Sequence, residues 1–281
     1  MSKFSHIKRK LHNLTHPELG QILMLHRVVN QRSRLAENRK IEVTTDFLEQ
    51  TILKYNTEGF RFVDMDEVIR IVNGGKQKQK FVCFTFDDGY ADNYINAYPI
   101  FKKYNCPFTI NITTDFYEHK ALLWWYVLED LSVTDEEFLA LRKEIFKLKS
   151  DEIEPFFEKK FPNEKYSFSQ KVEQMALSTE QIKKLSDSGL CTIGNHTVSH
   201  PNLSRLSFSE QEQQITEAQR KLEALTGKPV RHFASPYGLY NNNTLQILEK
   251  LSIFSATKTW GGKIRRGDGY LSLNRIELRE A

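Results

Sequence analysis

The sequence predicts an α/β protein whose mostly parallel sheet is covered by helices. Short apolar runs rich in Ile, Val, Phe and Thr alternate with helical patterns, as in strands joined by helical crossovers. Capping residues and glycines lie at the ends of the helical patterns, so the alternation has defined boundaries. The chain of 281 residues has no internal repeat. We therefore expect one domain over residues 1–281.

The strands are expected in six apolar runs: Gln21–His26, Phe81–Phe86, Pro107–Ile112, Cys191–Asn195, His232–Ala234 and Ser252–Ala256. Three helices between them carry start signals. Thr45 is expected to cap a helix over Asp46–Tyr55. Capping boxes pair Ser178 with Gln181 and Ser207 with Glu210, the second helix running through Leu225. Gly189 and Gly227 lie where these two helices should end.

One stretch, Asp115–Met175, interrupts the alternation. It has strong helical character and many aromatic residues, and it contains no good strand candidate. Both flanks belong to the same alternation, so we interpret it as a helical insertion over about residues 115–175. Its Trp124, Trp125 and Tyr126 could stack on sugar rings, although aromatic residues at such a place more often pack an insertion onto its domain.

Composition and charge exclude several classes of function. The net charge of +4 is spread along the chain, whereas a nucleic-acid-binding protein concentrates basic residues on one face. The three cysteines are too few and too widely spaced for a disulfide framework. No run approaches the ~20 apolar residues that span a bilayer. The N-terminus lacks the features of a signal peptide, so a cytoplasmic location is expected.

The first chemical signal is the run TFDDGY, in which an apolar strand leads into Asp87, Asp88 and Gly89. In α/β barrels, the reacting groups lie at the carboxyl ends of the strands. Adjacent side chains of a strand point to opposite faces, so both carboxylates can serve one site only where the chain turns, and Gly89 permits that turn. The alternative is a plain Asp-Asp-Gly turn.

The second signal is the run NHTVSHP, which contains His196 and His200. Histidines four residues apart lie on the same side of a helical turn, close enough to share an ion. Alone, the pair could also be surface or capping histidines. Together, the two signals offer a carboxylate and two imidazoles with open positions, which suits a catalytic Zn²⁺ or another divalent transition metal. The remaining acid suits a general base.

TFDDGY, HTVSHP and the later SPYG, in this order, resemble the motifs of the polysaccharide deacetylase family, also called the NodB-homology family or carbohydrate esterase family 4. The third motif is similar to that of a subgroup with FA-x-PYG. The resemblance implies an irregular (β/α) barrel of seven or eight strands. It also implies Asp87 as the catalytic base, with Asp88, His196 and His200 as metal ligands. The ligand set favours Zn²⁺ as the ion, with Co²⁺ or Mn²⁺ as alternatives.

The resemblance also implies that Pro236 and Tyr237 contact the substrate and that the Tyr237 backbone N–H helps to hold the oxyanion. The third motif of the family commonly has an Arg where this chain has Ala234. Arg275 or Arg231 could supply the missing positive charge, and we assign Arg275 to the substrate-binding residues.

The general acid of the family is a His near the C-terminus, but no His follows His232. A subgroup that acts on poly-N-acetylglucosamine has a comparable His in an N-terminal strand that ends like MLHRV. His26 is therefore the candidate acid, and a strand-end His bonded to the backbone is the alternative.

The predicted function is metal-dependent removal of an N-acetyl group from a glycan or from a lipid- or nucleotide-linked sugar precursor. The motifs also fit a deformylase, an O-acetyl esterase or a cyclic-amide hydrolase on the same fold, and a sugar-binding barrel without activity is a further alternative. Phe4, Ile7 and Leu11 lie at helical spacing among basic residues. This N-terminal helix could contact an anionic membrane surface, or it could dock on the barrel.

Overall fold

The computed structural model of the protein describes residues 17–131, 133–148 and 150–281. The strands are β1 (Glu18–Leu25), β2 (Arg27–Val29), β3 (Glu42–Thr44), β4 (Arg61–Phe62), β5 (Phe81–Asp88), β6 (Phe108–Ile112), β7 (Cys191–Asn195), β8 (His232–Ala234), β9 (Ser255–Thr257), β10 (Ile264–Arg265) and β11 (Ile276–Glu277).

Nine of these strands form one sheet that curls into an irregular, open barrel, with β2 and β3 paired separately. Its order is β10-β1-β5-β6-β7-β8-β9, while β4 pairs with β5 and β11 with β1. All the pairings from β1 to β9 are parallel, and β10 is antiparallel to β1. The predicted α/β barrel class is thus confirmed. The strand number exceeds seven or eight because two-residue strands at the margins join the sheet.

The strand runs were predicted well where they are buried on both faces. Every residue of β5 and β6 is buried, as parallel strands covered by helices require. The bounds of β7 and β8 agree with the prediction. The last run was placed too early: Ser252 has a φ of 54°, which extended backbone does not allow, and β9 begins at Ser255.

The α-helices are α1 (Ala36–Arg39), α2 (Thr45–Thr57), α3 (Met65–Val72), α4 (Tyr98–Lys103), α5 (Thr114–Tyr117), α6 (Trp124–Asp130), α7 (Asp135–Ile145), α8 (Ser150–Lys160), α9 (Phe168–Met175), α10 (Thr179–Asp187), α11 (Phe208–Thr226) and α12 (Asn242–Lys250). A π-helix, Asn93–Ala97, precedes α4.

The helix starts follow the capping residues. Both predicted capping boxes are present, at the starts of α10 and α11. Gly227 ends α11 in the left-handed conformation, with a φ of 68°. The prediction of Thr45 as a cap was wrong by one residue, because the extended Thr44 accepts the N–H of Phe47 and Thr45 is already helical.

The described part of the insertion carries α5 to α9, joined by short loops, and no strand between residues 115 and 175. Its aromatic side chains form a cluster of their own that also includes Leu35 from the segment before α1. The N-terminal segment with Phe4, Ile7 and Leu11 lies outside the described residues. Among residues 17–131, 133–148 and 150–281, no helix is long and apolar enough to cross a membrane.

Candidate active site

Asp87 and Asp88 end β5 and turn toward the same cavity. Asp88 has a φ of 77° and Gly89 a φ of 97°, so the strand twists sharply at its last residue. This turn brings two consecutive carboxylates to one site, as predicted. Both are buried, with exposed fractions of 1% for Asp87 and 6% for Asp88.

Asp87 is held by a buried guanidinium. Arg275 Nη1 donates to Asp87 Oδ1 at 2.8 Å and Nη2 to Oδ2 at 2.6 Å. Asn111 Nδ2 donates to Oδ1 at 2.9 Å. Burial alone would raise the pKa of Asp87, but the charge and hydrogen bonds of Arg275 hold this pKa well below its usual range. Asp87 is therefore ionised at neutral pH.

The assignment of Arg275 to substrate binding was wrong. Its side chain is fully buried, and the guanidinium also donates to the Lys258 carbonyl and to Thr85 Oγ1. It lies behind Asp87 and does not line the cavity. Arg275 thus supplies the positive charge that is missing at Ala234, while Arg231 stacks on Phe254 instead.

Asp88, His196 and His200 converge, with ligand atoms within 4.8 Å of one another. Asp88 Oδ1 lies 3.5 Å from His196 Nε2 and 3.6 Å from His200 Nε2. This oxygen is buried and has no hydrogen-bond partner, which is costly unless a cation satisfies it. Burial lowers the pKa of His200 to about 4 despite the carboxylate of Asp88, so this imidazole is neutral at neutral pH.

His196 is oriented by the backbone. Its Nδ1 lies 2.8 Å from the Ala234 carbonyl, and a carbonyl can only accept. Nδ1 therefore carries the proton, and the Nε2 lone pair points toward Asp88 and His200. Such an outer hydrogen bond is typical of histidines that bind metals. The donor set of two imidazoles and one carboxylate fits a divalent transition metal.

The histidine loop is not helical, contrary to the expected helical turn. Thr197 and His200 have φ values of 70° and 57°. Asn195 Oδ1 accepts the N–H of Thr197 at 2.8 Å, and Gln214 of α11 accepts the N–H groups of residues 198 and 199. The two histidines meet because two side chains shape this loop: Asn195 within the motif and Gln214 outside it.

The third motif forms a turn beside the candidate metal ligands. Tyr237 has a φ of 56°, and its ring lies 4.5 Å from that of His200. Tyr237 lines the cavity, whereas Pro236 is buried and does not. The burial of Pro236 contradicts the prediction that it contacts substrate.

His26 follows β1 directly and lines the same cavity. Its backbone carbonyl accepts a hydrogen bond from Asn93 Nδ2 at 2.8 Å. The cavity has a volume of about 430 Å³ and is lined by Asp87, Asp88, His196 and His200. Among the aromatic residues singled out in the insertion, Trp124 and Trp125 line it, and Tyr126 is buried.

Two residues that support Asp87 were missed. Asn111 stands beside Asp87 in the register of β5 and β6, and Gly194 stands beside Asn111 in that of β6 and β7. A Cβ at Gly194 would lie 2.2 Å from Asn111 Oδ1, so only glycine leaves room for this amide. The signal was present as a polar Asn in the otherwise apolar run FTINI.

The fold and the site define an α/β barrel with a candidate metal centre and a buried, ionised Asp at the carboxyl ends of its strands. The family model described as polysaccharide deacetylase matches residues 74–254. The chain therefore belongs to the polysaccharide deacetylase family.

Known relatives agree with this membership. YxkH of Bacillus subtilis (strain 168) is 22% identical over 258 residues, which cover 92% of this chain and 70% of that protein. The chitooligosaccharide deacetylase of Azorhizobium caulinodans is 44% identical over 62 residues, or 22% of this chain and 30% of that protein. Among solved structures, the Streptococcus pyogenes deacetylase PplD in complex with acetate has a TM-score of 0.69 and 25% identity, with 92% of each chain covered.

Proposed function

We propose that this protein is a metal-dependent hydrolase that removes the N-acetyl group from a glycan or from a lipid- or nucleotide-linked sugar precursor. The convergence of Asp88, His196 and His200 around a buried, unpartnered carboxylate oxygen carries the proposal. Asp87 lies beside this oxygen and is kept ionised by Arg275. A cavity of about 430 Å³ gives an acetylated sugar access to both.

Zn²⁺ suits the ligand set best, and Co²⁺ and Mn²⁺ are alternatives. Such an ion acts as a Lewis acid and lowers the pKa of a bound water. Asp87 would accept the proton of the water that attacks the acetyl carbon. The N–H of Tyr237 would donate to the oxyanion of the tetrahedral intermediate. His26 would protonate the leaving amine, so acetate and a free amino sugar are released.

The test is acetate release from a panel of N-acetylated saccharides and lipid- or nucleotide-linked precursors, with added Zn²⁺, Co²⁺ or Mn²⁺ and with a chelator. Chelator-sensitive release is expected from one substrate class. Release of formate, or of acetate from O-acetylated sugars alone, would indicate another acyl substrate. Metal binding without turnover of any substrate would favour a sugar-binding barrel.

Two variants separate the assigned roles. Asp87→Asn should keep the metal but reduce turnover by about 10²-fold or more, because the base is lost. His200→Ala should lose metal, since two ligands remain. Metal content by atomic absorption and acetate release are measured on the same preparations. An active Asp87→Asn enzyme would contradict the role of Asp87 as the base.

A further inference from the structure

One wall of the cavity belongs to the insertion. Trp124, Trp125, Phe138, Arg142 and Phe146 all line it. Their rings pack on one another: Trp124 stacks on Phe138 with centroids 6.1 Å apart and meets Phe146 edge-on at 5.9 Å. The Arg142 guanidinium covers the Phe146 ring at 5.0 Å. We call this set the aromatic wall.

The aromatic wall is anchored to the segment between β2 and β3, on one side of the barrel mouth. Arg142 Nη1 donates to Glu37 Oε2 at 2.7 Å. Asn38 Nδ2 donates to Glu129 Oε2 at 2.6 Å, so helix α6 is bonded to α1 as well. These contacts combine charge with hydrogen bonding, which makes them stronger than neutral ones. They fix the wall to the segment between β2 and β3, and His26 directly precedes β2.

The aromatic wall also reaches the other side of the mouth. Phe146, at the end of α7, meets the Tyr237 ring edge-on, with centroids 6.4 Å apart. Tyr237 in turn contacts His200. A continuous line of rings thus runs from the insertion to the loop that holds the metal ligands. A glycan that crosses the site in this direction would be blocked by Phe146 and Tyr237, whose rings contact each other.

We propose that the aromatic wall closes one end of the substrate site, so that the enzyme acts on the terminal sugar of a glycan or on a short saccharide. The proposal rests on the proposed function and specifies its substrate. The cavity volume of about 430 Å³ lies at the lower end of the range for small-ligand pockets, ~300–1,000 Å³. An internal sugar of a long chain would need free space on both sides of the metal site. Phe146 occupies the space on one side.

The test uses chitooligosaccharides of increasing length with the full chain loaded with Zn²⁺. Mass spectrometry of the products locates the residue that loses its acetyl group. The wild-type protein should deacetylate a terminal residue at every length. Phe146→Ala removes the ring that meets Tyr237, and its ratio of internal to terminal deacetylation should rise by about fivefold or more, the scale of one aromatic contact. Phe208→Ala is the matched control, since Phe208 is 39% exposed and does not line the cavity.

Binding separates this inference from the proposed function. A protein that accepts only chain ends has a Kd per chain that stays constant with length, whereas an open groove gains binding positions and its Kd per chain falls. Calorimetry should give a constant Kd for the wild type and a falling one for Phe146→Ala. If these Kd values are found but no acetate is released, the proposed function is contradicted and the inference about the aromatic wall is not. Internal deacetylation by the wild type, or no binding to any oligomer, would overturn the inference.

Discussion

Asp87 and Asp88 are neighbours with opposite electrostatic environments. Asp87 is bonded on both oxygens by Arg275, while Asp88 Oδ1 has no donor. Two adjacent ionised carboxylates would repel, and the guanidinium removes most of that cost for Asp87. In the proposed mechanism a cation would satisfy Asp88. One turn of the backbone at Asp88 would thus give one residue for proton transfer and one for metal binding.

The contact of Asp87 with Arg275 predicts a pH effect. In Arg275→Met, the positive charge that lowers the pKa of Asp87 is lost. The effect of burial then remains and raises this pKa. The base would then stay protonated up to a higher pH than in the wild type, so the acidic limb of kcat/KM should move to higher pH, with activity recovering as the pH rises. A pH–rate profile measures this. Arg275→Lys, which keeps the charge, should move the limb less.

The ion pair of Asp87 and Arg275 also makes the free energy of unfolding depend on pH. The pKa of Asp87 is lower in the folded chain than its ordinary value of about 3.9. The stabilisation is therefore present above that pH and is lost as the pH falls from there toward the folded-state pKa. Arg275→Met should remove about 3 kcal/mol of unfolding free energy at neutral pH, because it leaves a buried charge unpaired. Equal urea midpoints for this variant and the wild type would contradict that expectation.

His26 lines the cavity directly after β1, the strand that pairs with β5, which suits a general acid. His26→Ala should lower kcat by about 10²–10⁴-fold and leave the metal content unchanged. The control is His119→Asn, since His119 is exposed and has a φ of 58°, which Asn tolerates. Activity near that of the wild type would show that His26 is only a strand-end residue.

At the scale of elements, a buried ionic cluster joins the site to the insertion. Arg27 of β2 donates to Asp92 at 2.7 Å and to Glu42 of β3 at 2.9 Å. Its guanidinium lies 5.3 Å from the ring centroid of Tyr90 and 4.8 Å from that of Tyr126. The cluster therefore holds together the β2–β3 pair, the segment after Asp88 and helix α6 with its cavity-lining tryptophans.

Arg27→Met should lower the free energy of unfolding by about 3 kcal/mol, because Asp92 and Glu42 would lose the cation that pairs with both of them. Urea denaturation measures the change. Arg70→Met is the control: Arg70 pairs with Glu67 at the surface and is 48% exposed, so its loss should cost less than about 1 kcal/mol. If both variants lost a similar free energy of unfolding, the Arg27 cluster would contribute no more to stability than a surface ion pair.

Some elements can be predicted from sequence signals within a few residues, and others cannot. The capping boxes of α10 and α11 were predicted because each depends on two side chains three residues apart. The histidine loop was predicted as a helical turn and is not one. Its conformation depends on Asn195 and on Gln214 from α11, and no pattern within the motif reveals the second contact.

At the scale of the whole molecule, the candidate metal site joins the end of β5 to the loop after β7. A cation that binds this site binds only the folded chain, so Zn²⁺ should raise the melting temperature. A concentration a hundredfold above the Kd corresponds to about 2.7 kcal/mol. Differential scanning fluorimetry after dialysis against a chelator measures the shift. Asp88→Asn should reduce it strongly, and an equal shift in this variant would place the bound ion elsewhere.

The sequence alone determined the alternation of strands and helices, the helical insertion and the motifs that carry Asp87, Asp88, His196 and His200. These features depend on hydrophobic periodicity and on residues a few positions apart, so they can be seen locally. Only the tertiary structure decided that Arg275 lies behind Asp87, although 188 positions separate them. It also decided that Asn111 and Gly194 support Asp87 and that Phe146 meets Tyr237. These contacts join side chains from distant segments, and only the curling of the sheet and the docking of the insertion bring them together.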